Sequence, residues 1–244
     1  MSGSFSLFRV AGIQVYLHFS WLIVAWFQIT SGRSRYGTLG WAAAEYVGLF
    51  AIVLLHEFGH AFACRSTGGR ADRIVLWPLG GLAFVDPPLR PGAVLWSIAA
   101  GPLVNVALYP FLHFAALATG RHGWVFVSPD ARHLIANLWG INLGLLIFNI
   151  LPFYPLDGGQ IVRALLWFKV GPIRSLMIAG IIGIAGAVLI GLLAFYLGSI
   201  WTGVIAFFLL SQAKGAIERA KQMRVMEDVA GAMPPPLPTE HTRH

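Results

Sequence analysis

His56-Glu57-Phe58-Gly59-His60 sets two imidazoles four residues apart with a carboxylate between them. On a helix, positions i and i+4 share a face, so both rings can chelate one cation. Glu57, one position on from His56, comes close to a water at that cation without ligating it, which is where a general base is needed. With eight histidines and five glutamates in 244 residues, roughly 0.005 such matches are expected by chance. The bland alternative is a polar stripe packed inside a bundle. Two histidines and a glutamate in an apolar run make that alternative costly, because ionisable groups at membrane depth are rare without a function.

A catalytic zinc takes three protein ligands and keeps one position open, so a third ligand must come from elsewhere. Carboxylates are scarce, with five Asp and five Glu. Asp72, Asp86 and Asp130 fall in polar loops, and Glu218, Glu227, Asp228 and Glu240 fall in the tail region. Asp157 differs. It closes the stretch from Asn149 through Pro152 and Pro155 to Gly158-Gly159, directly after an apolar run. The prolines break the helix and the glycines allow close backbone approach. A broken helix at membrane depth must be covered by protein or line a water-filled cavity. Taken alone, Asp157 is equally well read as the N-cap of the next helix.

The elements that must position these residues are apolar. The chain is 57% hydrophobic and 11% charged, with a mean hydropathy of +0.71. Soluble domains carry about a quarter charged residues, so a soluble enzyme and a disordered chain are both excluded. A single cysteine, Cys64, excludes a disulfide framework and a cysteine-only zinc site. Uncharged or nearly uncharged runs cover 13–29, 41–63, 92–118 and 134–151, and 175–213 carries no charge at all. A helix over the last run would be about 58 Å long against a hydrocarbon core of about 30 Å. It must therefore turn, and Leu197-Gly198-Ser199 is the place. The expected fold is an all-α polytopic membrane protein with about six transmembrane helices. The first run lacks a basic leader and a cleavage site, so it reads as a retained helix rather than a signal peptide.

Ile74–Trp77 and Leu82–Val85 flank Pro78-Leu79-Gly80-Gly81, which predicts a short β-hairpin between helices two and three. An open hairpin edge cannot face lipid, so it is expected at the interface or inside the protein. There it can hold an extended substrate strand by main-chain pairing. The expected organisation is a membrane-embedded domain over 1–222 and a Pro-rich, disordered cytoplasmic tail over 223–244.

The formal charge is +7, but no nucleic-acid motif or arginine face interleaved with aromatics accompanies it. The basic residues lie between the apolar runs. With the N-terminus inside, thirteen Lys and Arg fall on the inner side and four (Arg33, Arg35, Arg121, Arg132) on the outer. That split predicts a cell-membrane protein with both termini cytoplasmic. Helices two and four then both run inward. His56, His60 and Asp157 meet at one depth in the cytoplasmic half, which decides for Asp157 as a ligand over a cap.

HEFGH in the second helix, Gly101-Pro102-Leu103-Val104-Asn105 in the third, and N-x-x-P-x-x-P-L-D-G-G from Asn149 to Gly159 resemble the site-2 protease family of intramembrane zinc metalloproteases. The resemblance covers roughly residues 10–222. It implies one zinc per chain held by His56, His60 and Asp157, Glu57 as catalytic base, and Asn105 and Asn149 near the active site, where interhelical hydrogen bonding is an equal reading. It also implies regulated intramembrane proteolysis of transmembrane proteins or peptides in the lipid bilayer. No stretch suits a PDZ domain and no CBS pair follows, as in the minimal branch of that family. The rival readings are a metal transporter or sensor and a catalytically inactive metal-binding membrane protein. A transporter needs polar groups along a through-path, whereas here they cluster at one depth.

Overall fold

The computed structural model describes residues 3–32, 34–77 and 80–232. The elements are β1 (Ser4–Val10), β2 (Ile13–His18), α1 (Ser20–Gly32), α2 (Leu39–Ser66), β3 (Arg70–Trp77), β4 (Gly80–Asp86), α3 (Pro91–Thr119), α4 (Pro129–Ile150), α5 (Asp157–Leu197) and α6 (Ile200–Ala232). The helices from α2 to α6 are all long and apolar enough to cross a membrane, which makes five candidate spans.

The expected first transmembrane helix over 13–29 is corrected. Its first six residues form β2, where Ile13, Val15 and Leu17 are buried and Gln14, Tyr16 and His18 are half-buried. That alternation is the two-residue period of a strand. The run then continues as α1, thirteen residues or about 20 Å, too short to span alone. Strand and helix together still join the two ends of α2. At one end Arg65 donates to the carbonyls of Ala11 (2.5 Å) and Gly12 (3.3 Å) in the β1–β2 turn. Further along, Gln28 reaches Glu45 in the second turn of α2.

The predicted hairpin is present as β3 and β4, paired from Arg70↔Asp86 to Trp77↔Gly80. Pro78 and Leu79 of its turn lie outside the described residues. The hairpin is half of a larger sheet ordered β1-β2-β3-β4, in which β2 and β3 run parallel and the other neighbours antiparallel. A parallel pair needs a crossover, and α1 with α2 provides it. Ala11 (φ 47°) and Gly12 (φ 77°) form the turn joining β1 and β2, the two positive φ values that a tight hairpin requires. The inner face of the sheet (Ile13, Val15, Leu17, Ile74, Leu76) packs with Val53, Ala61 and Cys64 of α2 into one core. Both β1 and β4 are edge strands.

α3 is central, with α2, α4 and α5 against it. Within α5, Gly171 at φ 79° separates a first helix over 157–170 from a second over 172–197. The expected turn is present: Gly198 caps α5 in the left-handed conformation (φ 61°) and α6 starts at Ile200. Ser175, Ala179, Gly180, Gly183, Gly186, Ala187 and Ala194 of α5 are buried, and Gly180 and Gly183 face Ala213 and Ile217 of α6. α6 continues to Ala232, ten residues past the boundary expected at 222; the proline tract from Pro234 lies outside the described residues.

Candidate metal centre

His56, Glu57 and His60 lie on the buried face of α2, at 3%, 5% and 6% exposure, with ligand atoms all within 4.8 Å of one another. Asp157, the first residue of α5, is 9% exposed. Its Oδ2 lies 3.1 Å from His56 Nε2 and its Oδ1 3.5 Å from His60 Nε2. The two Nε2 atoms are 3.1 Å apart. The structure thus brings His56, Glu57, His60 and Asp157 together, and Asp157 turns its carboxylate to the histidines instead of capping its own helix.

Hydrogen bonding fixes the state of both rings. His60 Nδ1 meets the Ser97 carbonyl at 2.9 Å. A carbonyl only accepts, so Nδ1 carries the hydrogen and, in the neutral ring, Nε2 carries the lone pair. For His56 the logic passes through two asparagines. Asn142 Nδ2 donates to the Asn105 main-chain carbonyl at 3.0 Å, so Asn142 Oδ1 accepts from Asn105 Nδ2 at 2.9 Å. Asn105 Oδ1 therefore faces His56 Nδ1 at 2.6 Å as an acceptor. Both Nε2 lone pairs and a carboxylate converge, and Asp157 Oδ2 is buried without a hydrogen-bond partner despite its 3.1 Å approach to His56. A proton satisfies one such pair at a time, whereas one divalent cation satisfies all three groups. Two imidazoles and a carboxylate, with both far ring nitrogens anchored, are the donor set and outer support that zinc takes at catalytic sites. The residues present fit the metal.

Glycines make the geometry possible. A Cβ at Gly101 would collide with both imidazoles, and one at Gly59 with the Ala100 carbonyl, so α2 and α3 cross in contact at the site. At Gly158 and Gly159 a Cβ would strike the backbone of Ile150, Leu151, Phe153 and Tyr154. The Pro-rich loop can therefore fold back over the start of α5 and deliver Asp157. The spacing of Gly101 and Asn105 also acquires a reason: one turn separates the gap for the rings from the amide that holds His56.

Asn105 is fully buried and reaches the ring nitrogen of His56 that faces away from Asp157. Asn149 is half-buried on the last turn of α4, and its side chain makes no hydrogen bond to another described residue. Sequence reasoning missed Ser97 and Asn142. Asn142 is the only buried residue of α4 among those described and carried a signal, an amide inside an uncharged run two turns before Asn149. Ser97 acts through its main chain, which no side-chain pattern reports.

Glu45, the other carboxylate of α2, is not part of this centre. It is buried at the far end, hydrogen-bonded to Tyr36, to Asn137 at 2.7 Å and to Gln28 at 3.5 Å, and paired with Arg35 at 3.5 Å. Burial and the neighbouring Glu45 carboxylate push the Tyr36 phenol up to about 12. Cys64 is buried in the sheet–helix core, and His113 stacks on Tyr109 in α3, away from the site.

Peptidase family M50 matches residues 44–125 and 126–193. A zinc metalloprotease of Methanocaldococcus jannaschii is 32% identical over 183 residues, covering 75% of this chain and 51% of that relative. Stage IV sporulation protein FB of Bacillus subtilis is 31% identical over 155 residues, covering 62% of this chain and 46% of that relative. The chain thus spans about half the length of these relatives. Among solved structures, a site-2 protease from Methanocaldococcus jannaschii superposes with a TM-score of 0.62 at 27% identity, covering 88% of this chain and 95% of that one.

Proposed function

The chain belongs to peptidase family M50, the site-2 protease family, and from that premise we propose that it hydrolyses peptide bonds in or near transmembrane segments of membrane-anchored proteins. The observation that carries this reading is the convergence of two Nε2 lone pairs and the Asp157 carboxylate beside Glu57, inside helices long enough to span a bilayer. In it, His56, His60 and Asp157 hold one zinc. When bound, the metal supplies Lewis acidity, favouring ionised water and polarising a carbonyl. Glu57 takes a proton from the attacking water and returns it to the leaving amine. Asn105 and the Ser97 carbonyl keep both rings in the ligating tautomer. Asn149, whose amide is uncommitted, is the candidate donor to the developing oxyanion.

Location supports the same reading. His60 lies six residues, about 9 Å, before the end of α2, so water has a short path from that end. The excess of Lys and Arg on the loops and helix ends there supports a cytoplasmic placement, with both termini on that side. Substrate backbone must leave its helix before it can be cut, and the β4 edge, next to the C-terminus of α2, suits the extended strand that results. Placing proline at Phe84 would remove a main-chain donor there. Cleavage should fall with thermal stability near normal, and unchanged cleavage would remove the edge from the account.

The function is tested by incubating the purified protein in detergent with a transmembrane peptide flanked by soluble tails and locating the cut by mass spectrometry. The expected cut is in the apolar stretch or within a few residues of it. Cutting confined to the soluble tails would overturn the intramembrane reading.

A further inference from the structure

Two arginines beside the Asp157 loop have no acidic partner among the described residues. Arg219 of α6 donates to the Tyr154 phenol oxygen at 3.2 Å, and Tyr154 is three residues before Asp157. Arg163 of α5 lies in the electrostatic field of both Tyr154 and Arg219. Its guanidinium stands 5.9 Å from the Trp167 ring, and its Nε is buried without a hydrogen-bond partner. No carboxylate pairs with either arginine among the described residues.

Plain snorkelling does not explain this. An arginine that only reaches for the interface leaves its whole head group in water, whereas the Arg163 Nε is buried without a partner. Arg219 is on the phenol and Arg163 lies within electrostatic reach of both, so the two guanidiniums repel each other. An oxyanion between them removes the repulsion and gives the fork-shaped donors their preferred acceptor. The position is also suggestive. Arg163 lies six residues beyond Asp157 on the same helix, and Phe168 farther along touches the Gly92 level at the start of α3. The pair therefore sits between the metal ligands and the sheet end of the bundle.

We propose that Arg163 and Arg219, the latter held by the Tyr154 phenol, recognise a carboxylate side chain of the substrate, an Asp or Glu a few residues from the cut bond toward the sheet end. The proposal deepens the proteolytic reading and rests on it, so its test reads binding rather than turnover. Glu57→Gln protein in neutral detergent is titrated with fluorescent transmembrane peptides in sets of three. The members of a set are identical except for Glu, Gln or Lys at one position, and the sets step through about six positions on that side of the cut. At one or two adjacent positions the Glu peptide should bind about tenfold tighter than the Lys peptide, equivalent to about 1.4 kcal/mol. Arg219→Glu, a change at an exposed position, should abolish that preference, and Arg163→Glu with Arg219→Glu should reverse it. Equal affinity for the three peptides at every position would overturn the proposal. Arginine-dependent retention of anionic phospholipid together with that equality would assign the pair to the bilayer instead. Cleavage by the wild-type protein, measured separately, tests the proteolytic reading without bearing on this preference.

Discussion

Glu57→Gln is expected to lower peptide-bond hydrolysis by about 10²–10⁴-fold, the usual contribution of a general base, while zinc content and fold stay as in the wild type. Gln is nearly isosteric with Glu but cannot take a proton from water. Glu57 is 5% exposed on the face of α2 that carries both histidines, and in the proposed site Asp157, which approaches both histidines from α5, closes the ligand set in place of Glu57. The change therefore separates catalysis from binding. Rates on a transmembrane peptide, with metal analysis of the same sample, provide the check. Loss of zinc along with activity would make Glu57 a ligand. Wild-type rates would remove it from the chemistry.

The second large effect is expected at Asp157. Replacing it with Ala leaves two Nε2 lone pairs 3.1 Å apart with no anionic partner. A residue that only supports a ligand typically contributes 10–100-fold in metal affinity, so loss of a ligand should cost at least about 10²-fold. Purified protein should fall from near one zinc per chain to well below it, and activity should fall with it. Asp157→Asn, which preserves shape while removing charge, should land between the two. Unchanged zinc content in Asp157→Ala would show that another group supplies the third bond.

Much of the site was legible because its signals are local. HExxH states its own geometry once it lies on a helix, and the Pro-Leu-Asp-Gly-Gly sequence announces a broken helix with close backbone approach. The glycine contacts at Gly158 and Gly159 give that announcement its cause. Ser97 was illegible because its contribution is a carbonyl shared by every residue type. Asn142 stands out as an amide in an uncharged run, but its role was illegible because its partner Asn105 lies 37 residues away in sequence. The fold was legible for the five long helices, where length and absence of charge suffice. It was misread at 13–29 because a charge-free run was taken as one element, although Ile13–His18 alternates with a strand period. The pairing of β1 with β2 is a local hairpin around Ala11-Gly12, but the parallel pairing of β2 with β3 is a long-range choice. It depends on α1 and α2 returning the chain to the same end of the bundle, which no local pattern encodes.

The central claim is that these four side chains make a metal-dependent peptidase acting at membrane depth. The most direct measurement is cleavage of a transmembrane peptide by purified protein before chelation, after removal of metal, and after return of one equivalent of zinc. The account predicts activity that disappears on chelation and returns with zinc in the wild type, but not in Glu57→Gln protein that has rebound the metal. Cleavage that persists in metal-free protein, or that returns equally in Glu57→Gln, would contradict it.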